Sequence, residues 1–507
     1  MEAMKPQRKM IIAAVIWVLA ICITCPAAND DPPDARTKQP AAGQAECRDL
    51  FKRLDKAVES AGVRDVQEAR VEGVPYYRAN RFLASFAGEL SDDEALEEWL
   101  ERLLELGNQG RRFEIANLPE QSLPDLPADF ASKDLVAEME RCAAQLMAKD
   151  LHSPKRIKRI QDNAAVPDEY SKTMRTVGVN PLSRWVVKRE VRKLNDKARQ
   201  NFQQPEAIGG SKIISYAPNQ PRPVIDSKTR AEILEQGRSK SALDIPEPDP
   251  QALKQLFADY APVWRIGTND DSDRIGRPFW QDDDHIGVDT DDPVVYRYHS
   301  FTRMREHVLL QLNYLIWFPE RPSQGLMDIY SGRLDGLIWR VTLDPQGQVL
   351  LYDSLHPCGC YHKYYPVSPD LQAIESPSTP EPPLILARDI PNPEKDRVVV
   401  HVSSREHYVV GLSAGQGQSD DTVPYRFDDY ATLRSLPCGD GRRSIFGPDD
   451  GLVIGTERGE RWLTWPMGVR SAGAMRQRGH YPLSLIGPLH FDDARLFENV
   501  FRYEKSP

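Results

Sequence analysis

The segment Tyr352 to His362, YDSLHPCGCYH, gathers the residue types best able to do chemistry. His356, Cys358, Cys360 and His362 fall at alternate positions, and alternate side chains of an extended chain face one way. Imidazole and thiolate are the preferred ligands of zinc and copper, so one expectation is a metal site built on these four. Ordinary zinc modules space their ligands as C-x2-4-C and H-x3-5-H, so that a turn lets both reach one ion. The single-residue spacing here is tighter. Two or three of the four, joined by His401, His407 or Cys438, make the easier set. Three protein ligands would leave a fourth position for an activated water, with Asp353 or Glu306 as candidate base. Two other readings stay open. Cys358 could bridge Cys438 and leave Cys360 as a small buried apolar group, or a thiol could be reactive beside a histidine.

Other clusters carry less. Arg442, Arg443, Arg458, Arg461, Arg470, Arg476 and Arg478 are interleaved with Trp462 and Trp465. Planar guanidinium donors beside indole faces suit an anionic or sugar ligand, although such residues more often form a salt-bridged rim. The aspartates between Asp270 and Asp292 lack the spacing of an EF-hand loop and read as solvated acidic loops. The haem-attachment, helical zinc-protease, nucleophile-elbow and phosphate-loop motifs are all missing from the sequence.

The leader changes how the cysteines are read. Lys5, Arg8 and Lys9 precede an apolar run from Met10 to Cys25, which ends in Pro26-Ala27-Ala28. This is the order of a secretory signal peptide over residues 1–28, with an uncleaved amino-terminal anchor or a lipid on Cys25 as alternatives. Export places five of the seven cysteines in an oxidising compartment, where disulfides persist. Cys47 and Cys142 both fall in helical stretches and are the expected pair. With 65 Lys+Arg against 75 Asp+Glu, the net charge is −10, which disfavours nucleic acid as a partner. A mean hydropathy of −0.53 excludes a multi-span membrane protein, so membrane contact is expected only through the amino-terminal segment.

These groups are positioned by an α+β chain, with a helical amino-terminal region and a larger β-rich carboxyl-terminal domain. Residues 29–45 read as a flexible tether, 46–250 as mainly helical, and 251–507 as the β-rich domain holding the His/Cys segment. Ser91-x-x-Glu94 reads as a capping box, Leu96, Trp99, Leu100, Leu103 and Leu104 form an apolar stripe, and Gly107 reads as the stop. A second helix covers Asp134 to Met147, and a basic one covers Arg184 to Phe202. Phe301 to Phe318 is apolar enough to be buried, and its length favours helix over strand. Leu337–Leu343 and Val349–Tyr352 flank Asp344-Pro345-Gln346-Gly347 as a β-hairpin. Arg397–His401 and His407–Leu412 read as further strands.

LLQLNYLIWFPERP, DGLIWRVTL and YDSLHPCGCYH, with GRRSIFGP and WPMG further on, resemble a group of uncharacterised secreted or lipid-anchored proteins of Gram-negative bacteria. The resemblance implies a cell-envelope location and supplies no catalytic residues. The expected function is therefore that of an exported envelope protein acting as a non-enzymatic binding or structural module, with an envelope component or an anionic or sugar ligand as partner. The alternative is a zinc-dependent, hydrolase-like enzyme centred on HPCGCYH.

Overall fold

The computed structural model describes residues 43–504, apart from 91, 127–132, 224, 283, 326, 388–389, 392–395 and 416–421. The expected leader, most of the expected tether, and Ser91 lie outside the described residues. The chain is α+β, with most helices in its first half and a large mixed sheet in its second.

Helices α1 (Gln44–Ala61), α2 (Asp93–Asn117) and α3 (Leu135–Asp150) pack around one core. Leu50, Phe51 and Leu54 meet Trp99, Leu100 and Leu103 of α2 and Met139 and Leu146 of α3. Cys47 and Cys142 form a disulfide inside this core, joining α1 to α3 across a separation of 95 residues. Asp92, rather than the expected Ser91, caps α2 by accepting the Ala95 N–H at 2.8 Å. Gly107 does not stop that helix. It lies in mid-helix because the backbone of Tyr76 and Tyr77 crosses where a Cβ would stand.

The same unit buries a charge network. Glu114 is inaccessible to solvent and accepts from Arg70 at 2.8 Å, Arg78 at 2.7 Å and Arg111 at 3.0 Å. Burial alone would raise its pKa, but the three guanidinium groups carry it down to about 2. Arg78 also reaches Asp65 at 3.0 Å, and Asp65 takes a bidentate contact from Arg434, both bonds 2.8 Å. The helical unit is thereby locked to a residue some 370 positions further along the chain.

Helices α4 (Pro154–Asn163), α5 (Lys172–Gly178), α6 (Pro181–Asn201), α7 (Ser227–Arg238) and α8 (Pro250–Asp259) lead into and flank the sheet. In chain order its eleven strands are β1 (Lys212–Pro218), β2 (Val263–Thr268), β3 (Val294–Met304) and β4 (His307–Arg321). Then come β5 (Gly332–Leu343), β6 (Val349–Leu355), β7 (Lys363–Pro366) and β8 (Leu384–Ile385). The last three are β9 (Arg397–Val402), β10 (Val409–Gly415) and β11 (Thr422–Asp429). Across the sheet the order is β8-β7-β6-β5-β4-β3-β11-β1-β2-β9-β10. Strands β3 to β7 form an antiparallel meander, and the sheet draws β1 from before residue 250.

The helix expected over Phe301–Phe318 is instead the end of β3, a turn at Arg305, and most of β4. The apolar run misled because β4 is central and covered on both faces. Val308 to Phe318 are all buried, which erases the usual alternation. The Asp344–Gly347 turn does join β5 and β6, with the Asp344 carboxylate accepting the N–H groups of Gln346 and Gln348.

Candidate functional site

Strands β6 and β7 are antiparallel neighbours, and HPCGCYH is the loop between them. The His356 N–H donates to the Cys360 carbonyl at 3.1 Å, and the Gly359 N–H donates to the His356 carbonyl at 2.8 Å. Gly359 has φ +91° and lies against the Pro482 backbone, so a side chain fits there neither conformationally nor sterically. Tyr361 follows at φ +60°. A turned chain does not keep strand alternation: His356 and His362 part to different carboxylates, while Cys358 and Cys360 stay in contact. Among the described residues, no three His, Cys, Asp or Glu side chains gather as a metal-binding set.

His356 turns to one side of the sheet. Its Nδ1 lies 3.5 Å from Asp335, and Nε2 is buried without a hydrogen-bond partner. Asp335 also receives His407 Nδ1 at 2.8 Å, and His407 Nε2 lies 3.3 Å from Asp273. All four side chains are buried, and Phe318 stacks on the His407 ring at 3.8 Å. Burial lowers the pKa of both imidazoles; hydrogen bonds to Asp273 and Asp335 reverse this for His407, but Asp335 fails to reverse it for His356. The shared carboxylate thus favours the charged form of His407 over that of His356. Beside it, Arg321 lies over the rings of Tyr361 and Tyr408, at 5.9 and 5.5 Å. Lys363 places Nζ 2.7 Å from the Val409 carbonyl, and burial lowers its pKa to about 7.

His362 turns to the other side. Its Nε2 meets Asp353 at 2.7 Å, while Arg340 holds both Asp353 oxygens at 2.8 and 2.6 Å. Burial opposes the Asp353 charge, yet Arg340 and His362 keep its pKa below the usual range. Asp353, a candidate base from the sequence, thus serves an internal ion pair. Glu306, the other candidate, stands at the β3–β4 turn, 3.5 Å from His307. His401 bonds Ser413 at 2.8 Å on β9.

None of Cys358, Cys360 and Cys438 is disulfide-bonded in the structure, so the alternative Cys358–Cys438 bridge is not formed. The Cys360 N–H donates to Cys358 Sγ at 3.3 Å. The hydrogen bond between the two thiols, and then burial, push the Cys360 thiol well up, away from thiolate reactivity. The arginine stretch is dispersed. Arg458 donates to the Leu334 carbonyl at 2.7 Å, Arg442 to Ser435, and Arg476 to the Arg470 carbonyl. The acidic loops are not uniformly solvated either. Asp273 is buried, and Asp292 pairs with Arg277 and Arg426, both at 2.8 Å.

A site that sequence reasoning missed lies where the helical unit meets the sheet. A cleft of about 310 Å³ is lined by Asn80, Phe82 and Arg102 from the first unit and by Tyr298, Phe301 and Gln311 from β3 and β4. Asp429, Arg478 and Asp492 complete it, and none of the HPCGCYH donors takes part. Its guanidinium groups are paired: Arg102 with Glu247 at 2.7 Å, Arg434 with Asp65, and Arg478 with Glu68 at 3.2 Å. Asp429 and Asp492 accept the backbone N–H groups of Ala431 and Gly479, and a carboxylate accepts more bonds than that. The Tyr298 hydroxyl is buried with no hydrogen-bond partner. Phe82 and Phe301 supply an aromatic wall, their rings 5.5 Å apart. The arrangement offers acceptors, a phenol and an aromatic face together. No signal in the sequence pointed to it, because its lining residues run from Gln67 to Asp493.

Against known proteins, the chain matches no family model, no curated sequence and no solved structure.

Proposed function

We propose that the chain is an exported cell-envelope protein acting as a binding module, and that the junction cleft holds its ligand. The observation that carries this reading is the cleft itself. Its 310 Å³ falls at the lower end of the range for small-molecule sites. Two carboxylates with spare acceptor capacity, an unpartnered tyrosine hydroxyl and an aromatic wall suit a hydroxyl-rich, sugar-like ligand. Export draws support from the buried Cys47–Cys142 bridge, since reducing compartments rarely keep one. The alternative of a zinc-dependent hydrolase draws no support from the placement of His356, Cys358, Cys360 and His362.

Titration calorimetry with a panel of neutral and amino-sugar oligosaccharides tests the reading. Asp492→Asn should weaken binding by about tenfold or more, the usual cost of losing a charged hydrogen-bond acceptor, and Tyr298→Phe should weaken it less. Absence of binding across the panel, or affinity unchanged in Asp492→Asn, overturns it.

A further inference from the structure

Beyond the cleft, the described residues hold eight of the nine tryptophans, Trp17 being the exception. Trp99, Trp264, Trp280, Trp317 and Trp339 are buried. The three exposed ones are Trp185 at 59 %, Trp462 at 69 % and Trp465 at 51 %. Trp185 is on α6. Trp462 and Trp465 belong to the helical turn Arg461–Thr464 and the residues just after it, which pack on α5. Gly178, at the end of α5, abuts the Pro466 backbone, and the Ser171 N–H donates to the Gly468 carbonyl at 2.8 Å. Val177 at 75 % exposure, Leu182 at 71 % and Leu463 at 68 % stand exposed on the same three segments.

These segments also carry charge. Helix α6 carries seven Lys and Arg against two Asp and Glu, a net +5 in a chain of net −10. Arg184, Arg189, Arg192 and Lys193 are exposed, and the Arg189 guanidinium lies over the Trp185 ring at 5.6 Å. Arg461 lies over Trp462 at 4.9 Å in the same way. Exposed Trp and Leu beside dense Lys and Arg are the composition of helices that lie in the headgroup layer of a membrane. No described helix is long and apolar enough to cross a membrane, which fits lying on one. A second copy of the chain would bring its own +5 helix against this one, and like charges repel.

We propose that α5, α6 and the Arg461–Met467 segment form a docking face for an anionic lipid bilayer, separate from the amino-terminal segment and from the junction cleft. The indoles and Leu182 enter the headgroup boundary, while α6 arginines and lysines meet lipid phosphates.

The test uses the full chain carrying Trp17→Phe, mixed with vesicles of phosphatidylcholine alone or with about one-third phosphatidylglycerol, either set containing brominated acyl chains. Indole fluorescence should be quenched on the anionic vesicles, and far less in Trp185→Phe/Trp462→Phe/Trp465→Phe. Arg189→Glu/Lys193→Glu should lower the extent of quenching at least tenfold, as should high salt, because each surface charge near anionic lipid counts. These substitutions touch exposed positions, so circular dichroism should be unchanged. Quenching that is equal on both vesicle types, absent from both, or retained in the triple-Phe variant overturns the proposal. So does a stable dimer in sedimentation that dissociates in Trp185→Phe.

Discussion

Helices α2 and α6 are similar in length and opposite in use. Of the 25 residues of α2, eleven are buried; of the 21 of α6, only Asn195 is. Both carry apolar residues, so hydrophobic content does not separate them. On α2 the stripe faces α1 and α3, and even its charged residues Arg111 and Glu114 go inside with partners. On α6 the apolar residues Leu182, Trp185 and Leu194 face solvent, and one short contact, Asn195 to the Pro382 carbonyl at 3.0 Å, helps hold the inner side. A helix that builds the core spends its charges on internal pairing. A helix that serves a surface leaves them outside.

The comparison breaks most sharply at Glu114. Glu114→Ala would take the shared buried carboxylate from Arg70, Arg78 and Arg111, leaving them only Asp55 and Asp65, and should cost about 3–5 kcal/mol, read from the urea midpoint. A cost below about 1 kcal/mol would put α2 on the footing of α6. Next comes Cys142→Ser, expected to lose about 2–5 kcal/mol by releasing the long loop closed by Cys47. The pH dependence follows from Glu114. Its folded pKa is held at about 2, below the ordinary 4.5. Its contribution is therefore complete above the ordinary value and lost as pH falls toward 2, about 3 kcal/mol in all. Urea midpoints between neutral pH and pH of about 3 should fall in wild type and stay flatter in Glu114→Gln. The smallest effect is on α6, where Val186→Ala or Leu194→Ala should shift stability by no more than about 0.5 kcal/mol.

What could be read from the sequence follows from the range of the physics involved. The stripe from Leu96 to Leu104 and the Asp344–Gly347 turn depend on neighbours within a few positions, and both have their expected counterparts in the structure. The α+β class followed from such local patterns. Val308 to Phe318 misled because burial on both faces leaves no period to count. HPCGCYH misled in another way. Its alternation required an extended chain, and Gly359 with Tyr361 turns it instead, sending His356 and His362 to opposite sides. The junction cleft was illegible because Asn80, Tyr298 and Asp492 meet only after the whole chain has folded.

Strand β11 carries one last consequence, for the order in which the molecule can assemble. Its residues 422–425 pair with β1, and 426–429 pair with β3. In the strand order the two halves of the sheet are hydrogen-bonded to each other only through this one segment. A chain emerging from its amino terminus therefore has two unfinished half-sheets with raw edges until Asp429 is out. Joining strands so far apart in sequence is slow, and open edges invite pairing with other chains. The late strand works as a clasp, closing the last open edges between the two half-sheets.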